Sequence, residues 1–481
     1  MRYVSTRGIG GSISGAEAIL RGLADDGGLY VPEKMPILPL TYFEDMKAMD
    51  YPARAAYILK LFLPEFSDLD HICKAAYERF DGHPAPLVDY GEDLPLVLEL
   101  WHGPTCAFKD MALQMLPLLM NKAREIAGEE REMCILTATS GDTGKAALEG
   151  FRDRQGTRVL VFYPQDGVSE IQKLQMITQE GSNVGVCGIR GNFDDAQTGV
   201  KQVFSDENFA KKLQGGFLSS ANSINLGRLL PQIVYYVSAY IDFISENPGK
   251  TLNICVPTGN FGNILAALYA KEMGLPIGRL LCASNINCVL TELITFGHYN
   301  RNVSLHTTIS PSMDILVSSN WERALHLLSG GNSEYVKECM LQLASSGRYE
   351  LNSDCFNAMK LHFDARYCDD DYTKSCIAQV YERTQKIIDP HTAVAVSVLL
   401  EEEGFSQKDT PYMVVSTAHP GKFPEAVLSA LSIEYNGNPI EALQGYTAIP
   451  APLLGLEEKE KRFLSSVSPD AIFDVVEQFA N

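Results

Sequence analysis

Several absences narrow this 481-residue chain before any motif is considered. No apolar run approaches the ~20 residues that a spanning helix needs, so no membrane partner is expected. The N-terminus has no basic segment followed by an apolar one. Thr6 to Gly15 is rich in glycine and serine instead, which does not match a secretory signal. Cysteine occurs eleven times but never as Cys-x-x-Cys. The closest pairs, Cys282/Cys288 and Cys368/Cys376, lack histidines at zinc-site spacing, so no metal site is expected and free thiols in a reducing cytoplasm fit the pattern. Basic residues are in deficit, 40 against 60 acidic ones, for a net charge of −20. That balance argues against nucleic acid and anionic membranes, and an anionic substrate would need a local basic pocket. Repeats and low-complexity segments are also missing.

What remains is an ordinary globular composition, 21% charged and 46% hydrophobic, long enough for two or three domains. Residues 1–90 carry helical patterns at Thr41–Met49, Tyr51–Phe62 and Leu69–Phe80, punctuated by proline. From 94 onward, strand-like runs at 94–100, 133–138, 158–163, 183–189, 252–256 and 279–284 alternate with helical stretches near 110–127, 143–153, 169–180, 193–213, 226–245 and 262–273. This alternation predicts an α/β fold with parallel-rich sheets covered by helices. Pro411 to Ala418 reads as a returning strand, Phe423 to Leu431 as a helix, and Asp369-Asp-Asp371 as a solvated turn. The expected division is a helical region over 1–90, a catalytic core over 91–300 with a smaller, mobile subdomain at about 130–215, and a part over 301–481 that completes the large domain.

Two segments carry chemistry. In Glu99-Leu-Trp-His-Gly-Pro-Thr-Cys-Ala-Phe-Lys-Asp-Met-Ala-Leu113, an apolar strand runs through a Gly-Pro turn to Lys109 at a helix mouth. Desolvation between Phe108 and Met111 would lower the lysine pKa and free its amine to attack a carbonyl. A solvated lysine in a first helical turn is the alternative. In Asn253 to Leu268, a strand enters a helix through Pro257-Thr-Gly-Asn-Phe-Gly-Asn263. Gly259 and Gly262 permit close backbone approach, Asn260 and Asn263 suit turns and caps, and free N–H groups at the helix start suit a phosphate. An ordinary strand-to-helix turn is the alternative. The loop is neither Gly-x-Gly-x-x-Gly nor a Walker loop. An imine-forming lysine together with a phosphate cradle points to pyridoxal phosphate.

The Lys109 segment resembles the cofactor-attachment signature of fold type II pyridoxal-phosphate enzymes, whose fold is tryptophan synthase β-like. Within that group the chain resembles the threonine synthase family, in its longer bacterial and fungal branch. The match is carried by His102-Gly-Pro-Thr-Cys-Ala-Phe-Lys-Asp110, Leu136-Thr-Ala-Thr-Ser-Gly-Asp-Thr-Gly144, Ser220-Ala-Asn-Ser-Ile-Asn-Leu-Gly-Arg-Leu-Leu230, Pro257 to Asn263, Asp389-Pro-His-Thr-Ala-Val-Ala395 and Ser416-Thr-Ala-His-Pro-Gly-Lys-Phe423. Tyr3-Val-Ser-Thr-Arg-Gly8 and Gly22 to Pro32 match the branch's opening region, so the resemblance spans nearly the whole chain in order.

The resemblance implies that Lys109 binds the cofactor covalently and moves protons at the substrate Cα. It implies that Gly259, Asn260, Phe261, Gly262 and Asn263 hold the cofactor phosphate, and that Thr417, or Ser416 beside it, faces the pyridine nitrogen. Thr139, Ser140 and Thr143 would grip the substrate carboxylate. Asp142 replaces the asparagine of the wider family, with helix capping as the alternative use. The implied substrate is O-phospho-L-homoserine, which loses phosphate from Cγ and gains water at Cβ to give L-threonine. Its phosphate would meet Asn222, Ser223, Asn225 and Arg228, with Lys422 and Lys145 as weaker candidates. His102, His391 and His419 read as structural histidines. A phospho-lyase releasing 2-oxobutyrate, ammonia and phosphate is the rival outcome, and a monomer or homodimer is expected.

Overall fold

The computed structural model describes residues 1–39, 41–91, 94–206, 209, 216–401 and 410–481. Two parallel-rich sheets dominate it. The larger has six strands in the spatial order Phe363–Tyr367, Ile277–Ser284, Leu252–Pro257, Tyr412–Ser416, Leu96–Glu99 and Leu87–Asp89. All its pairs are parallel except the last, where Leu87–Asp89 runs antiparallel to Leu96–Glu99. The second sheet has five parallel strands in the order Ser466–Val467, Val184–Ile189, Thr157–Pro164, Glu132–Ala138 and Gly216–Ser220. The inner strands are apolar nearly throughout because helices cover both faces. Those helices include the 21-residue Leu226–Glu246, of which Leu226 to Ile241 are all buried.

The N-terminal region is mainly helical, with Tyr3–Ser5 paired antiparallel to Tyr30–Pro32, and local capping explains where its helices start. Ser14 and Glu17 form a reciprocal capping box for Gly15–Arg21, and Asp50 caps Tyr51–Phe62 with proline in the first turn. Helix Leu69–Tyr77 follows.

Every strand expected between 94 and 284 is present, and the helices between them start within a few residues of expectation. Several features differ. The stretch at 110–127 is two helices, Asp110–Leu113 and Leu116–Ala127, because Pro117 has no N–H and its ring would strike the carbonyl of Leu113. Gly216–Ser220, with one glycine and two serines in five residues, has little strand propensity of its own; pairing with Glu132–Ala138 makes it a strand. Phe363–Tyr367 was likewise hidden in a polar stretch and becomes an edge strand on Ile277–Ser284. The helix expected over 193–213 is Phe193–Ser205, with 207, 208 and 210–215 outside the described residues. Asp369 is no turn residue: its carboxylate accepts from Tyr372 N–H at 3.0 Å and caps Asp370–Thr384.

Candidate functional site

Adjacent strands of a parallel sheet end on the same side, and loops leaving those ends converge. In the large sheet, Leu96–Glu99, Tyr412–Ser416 and Leu252–Pro257 include two adjacent pairs, so the loops carrying Lys109, Thr417 and Gly259–Asn263 meet there. In the small sheet, Glu132–Ala138 and Gly216–Ser220 are neighbours and deliver Thr139–Thr143 and Asn222–Ser223. Lys109, Thr417, Gly259–Asn263, Thr139, Ser140, Asp142, Thr143, Asn222 and Ser223 all line one cavity of about 180 Å³.

The Lys109 loop is fastened to the Thr417 loop. Phe108 N–H donates to Thr417 O at 2.8 Å, and His419 N–H donates to Cys106 O at 3.0 Å. Cys106 takes a left-handed φ of 59° in this tight path. Lys109 ends at the cavity with its side chain 11% exposed. Its Nζ lies 3.4 Å from Asp142 Oδ2 and 3.4 Å from Ser312 Oγ, and 4.7 Å from the centre of the Phe108 ring. Burial lowers its pKa, which Asp142 opposes and Lys422 and Arg228 reinforce.

Across the cavity, Phe261 opens helix Gly262–Glu272 with φ 62° and no side-chain cap. The first N–H groups of that helix therefore have no side-chain acceptor. A Cβ on Gly259 would lie 2.6 Å from Ser312 O, so only glycine admits this wall. Asn263 accepts from Tyr236 OH at 2.6 Å and also from Tyr235 OH, while its Nδ2 is buried with no partner among the described residues. An uncapped helix end beside an orphaned amide donor fits a phosphate group. The Phe261 ring turns away into the core against Trp321, 5.2 Å between centroids, so only its backbone serves the loop.

Thr139 is buried, and its hydroxyl accepts from Gly141 and Gly144 N–H at 2.9 and 2.8 Å, which shapes the turn into helix Asp142–Phe151. The N-cap residue of that helix, Gly141, has no side chain to offer, so the Asp142 and Thr143 N–H groups have no side-chain acceptor among the described residues, while Thr139 serves Gly144. Asp142 caps nothing. Burial pushes its carboxyl pKa up, but Lys422 and Lys109 outweigh burial and hold it below the usual carboxylate range.

Arg228 is 3% exposed, with Nη1 donating to Ala221 O at 2.6 Å and Nε without a partner among the described residues. Burial lowers its pKa to about 10. Asn222 lines the cavity but spends its Nδ2 on Ala138 O at 3.0 Å, and Ser223 Oγ sits 3.4 Å from Ser319 Oγ. Asn225 does not line the cavity. Its Oδ1 caps helix Leu226–Glu246 through Gly227 N–H at 2.8 Å, and its Nδ2 donates to Ile19 O at 3.0 Å.

Lys422 and Lys145 are also away from the cavity: Lys422 pairs with Asp142 at 2.9 Å, and Lys145 with Glu149 at 3.2 Å. Ser416 points elsewhere, bonded to Trp101 Nε1 at 3.1 Å and Thr392 Oγ1 at 3.0 Å, so Thr417 is the hydroxyl at the cavity. His102 pairs with Glu99 at 2.9 Å and His419 Nδ1 accepts from Gly421 N–H at 3.0 Å, both structural uses. His391 does line the cavity, held by Asp389 Oδ1 at 2.8 Å on Nδ1 and accepting from Ser312 N–H at 3.2 Å on Nε2.

Sequence reasoning missed Ser312, in the short 3-10 turn Pro311–Met313, Ser319 in the loop after it, and Gln197 and Lys201 on helix Phe193–Ser205. Ser310-Pro-Ser312 carries only a turn signal. The alternation of Phe193, Gln197, Val200 and Phe204 at helical spacing was the one legible hint for the second group.

An amine of lowered pKa facing an uncapped helix end and an orphaned amide is the donor set that an aldehyde-bearing phosphate requires. Comparison with known proteins agrees. A family described as pyridoxal-phosphate dependent enzyme matches residues 84–418, flanked by threonine synthase N terminus over 2–77 and threonine synthase, C-terminal, over 392–479. Threonine synthase of Pseudomonas aeruginosa is 38% identical over 96% of this chain and 95% of its own. Threonine synthase-like 1 of Macaca fascicularis is 40% identical over 93% of this chain, which spans 62% of that relative's length. The crystal structure of PLP-bound threonine synthase from Brucella melitensis superposes with a TM-score of 0.89 at 35% identity, covering 100% of both chains. With its fold, its donor set and these matches from end to end, the chain belongs to the threonine synthase family of pyridoxal-phosphate-dependent enzymes.

Proposed function

We propose that this chain converts O-phospho-L-homoserine and water to L-threonine and inorganic phosphate. The observation that carries the reading is one cavity with an amine of lowered pKa at one end, an uncapped helix at another and a buried, under-bonded guanidinium at a third. Bound pyridoxal phosphate supplies an electron sink for charge developing at the substrate Cα.

The chain's own groups do the rest. Lys109 Nζ would hold the cofactor, and its amine would serve as the group that takes and returns a proton at the substrate Cα. Gly259 to Gly262 and the Asn263 amide bind the cofactor phosphate, and the Thr417 hydroxyl meets the pyridine ring. Ser140, Thr143 and the first N–H groups of helix Asp142–Phe151 bind the substrate carboxylate. Arg228, with Asn222 and Ser223, binds the substrate phosphate as it leaves. Apolar Phe193, Val200 and Phe204 line the cavity beside these groups and limit water around the reacting carbons.

Lys109→Ala should abolish the yellow cofactor band and lower turnover by about 10³-fold or more while the far-UV spectrum is kept. A variant that kept the band would refute the assignment. A second reading is a phospho-lyase releasing 2-oxobutyrate, which the cofactor-holding residues would serve equally; the chain is 40% identical to threonine synthase-like 1 and 38% to the synthase. The length match favours the synthase, 95% of its chain against 62%. Incubation with O-phosphohomoserine and separation of threonine from 2-oxobutyrate decides between them. Eleven free cysteines, ten of them buried, support a reducing cytoplasmic setting. A monomer or homodimer is proposed, with sedimentation as its measure.

A further inference from the structure

Behind the amine lies an ion cluster that the steps above do not use. Asp142 is 2% exposed and divides its two oxygens. Oδ1 receives Lys422 Nζ at 2.9 Å and Gln172 Nε2 at 2.9 Å, while Oδ2 faces Lys109 Nζ at 3.4 Å. Lys422 has no exposed side-chain surface, and its remaining donors go to Thr105 O at 2.9 Å and Gln175 Oε1 at 3.0 Å. An ammonium has three N–H donors, so Lys422 is saturated by partners on three separate segments. It is not among the residues that line the cavity.

The charge count of this cluster decides the state of Lys109. A buried cluster is cheapest when its net charge is zero. With Lys422 present, Asp142 is already neutralised and the zero-charge state has Lys109 as a free amine. With Lys422 removed, the zero-charge state is the pair of Asp142 with a protonated Lys109. Arg228 is the other charged group facing Lys109, and it favours the free amine as well.

We propose that Lys422 is a positioning residue: by neutralising Asp142 from behind, it lets that carboxylate aim Lys109 Nζ without holding its proton. This rests on the reading that Lys109 attaches the cofactor, and it adds a residue that acts on Lys109 by charge, both by offsetting Asp142 and by opposing the ammonium form directly. The same geometry gives Asp142 its use, as an anchor for two lysines at once.

The test is trace acetylation of the cofactor-free full chain with acetic anhydride across pH, with Lys109 followed by peptide mass spectrometry. In Lys422→Met the midpoint for Lys109 reactivity should rise by about one pH unit, and Lys422→Arg should return it toward the original value. In Asp142→Asn, where Lys422 is unopposed, the midpoint should fall; in the double variant Lys422→Met/Asp142→Asn it should rise by about one unit above that single variant. A residue that only held the fold would lower stability and leave these midpoints alone. Equal midpoints in the original chain and Lys422→Met overturn the proposal. If that variant does not fold, equal midpoints in Asp142→Asn and the double variant do so. Borohydride fixation of pyridoxal phosphate on the original chain separates the two claims. An adduct on Lys109 with unmoved midpoints sinks only this inference, whereas no adduct on Lys109 sinks the functional reading.

Discussion

Lys422 and Arg228 are both buried cations close to one cavity, yet their surroundings are opposite. Lys422 meets a carboxylate, a carbonyl and an amide oxygen, one for each donor. Arg228 meets one carbonyl, has an Nε without a partner among the described residues, and borders the cavity. Burying a charge is tolerated where partners replace water, and an unmatched buried donor is retained where a ligand completes it. The saturated cation thus lies in the scaffold behind the cavity, and the unsaturated one lines the cavity itself. Sequence alone put Arg228 ahead of Lys422 as a substrate-phosphate group, but could not say why they differ, since both are basic residues in matched segments.

Substitutions can break this contrast. Lys422→Met should have the largest effect on folding, about 3–5 kcal/mol in urea unfolding, because Thr105 O, Gln175 Oε1 and Asp142 Oδ1 each lose a buried charged donor. Arg228→Ala should scarcely move the unfolding midpoint, yet raise KM for O-phosphohomoserine or lower kcat/KM about 10–100-fold, with cofactor affinity kept. If the two variants exchanged these signatures, the contrast would be false.

A pH-dependent effect sharpens the picture on the scaffold side. Burial lowers the His419 pKa to about 4, so the folded protein binds fewer protons there than the unfolded chain does. Its contribution to stability is complete above about pH 6.5 and is lost as pH falls toward 4. His419→Asn should remove about 1–2 kcal/mol of that acid loss, read from urea midpoints between those pH values. The smallest effect belongs to Asn225→Ala. Loss of a helix cap should cost about 1 kcal/mol of stability and leave KM unchanged, because Asn225 faces helix Leu226–Glu246 and not the cavity. A raised KM would return Asn225 to the substrate site.

Legibility followed locality. The strands from Leu96 to Ser284 were readable because a parallel sheet covered on both faces makes continuous apolar runs. Gly216–Ser220 and Phe363–Tyr367 were not, since their strand character comes from their neighbours in the sheet. At the site, Lys109 and the Gly259–Asn263 loop stood out because each combines a turn, a glycine and a helix start within a few residues. Ser312 and His391 reach the same cavity from a polar stretch and a helix far along the chain, and no local pattern announces their meeting. Asn222 and Asn225, three residues apart in one motif, looked equivalent until their side chains were seen to point to a strand carbonyl and a helix end.

By itself, the sequence determined most of the order of strands and helices and the family, and it singled out Lys109 and the Gly259–Asn263 loop as candidates, because each rests on short-range patterns or on motifs kept in register. Only the tertiary structure decided which buried charges are spent and which are left unmatched. That distinction depends on distances between segments hundreds of residues apart, as where Lys422 reaches Thr105 O across 317 positions to saturate an ammonium that composition can only count.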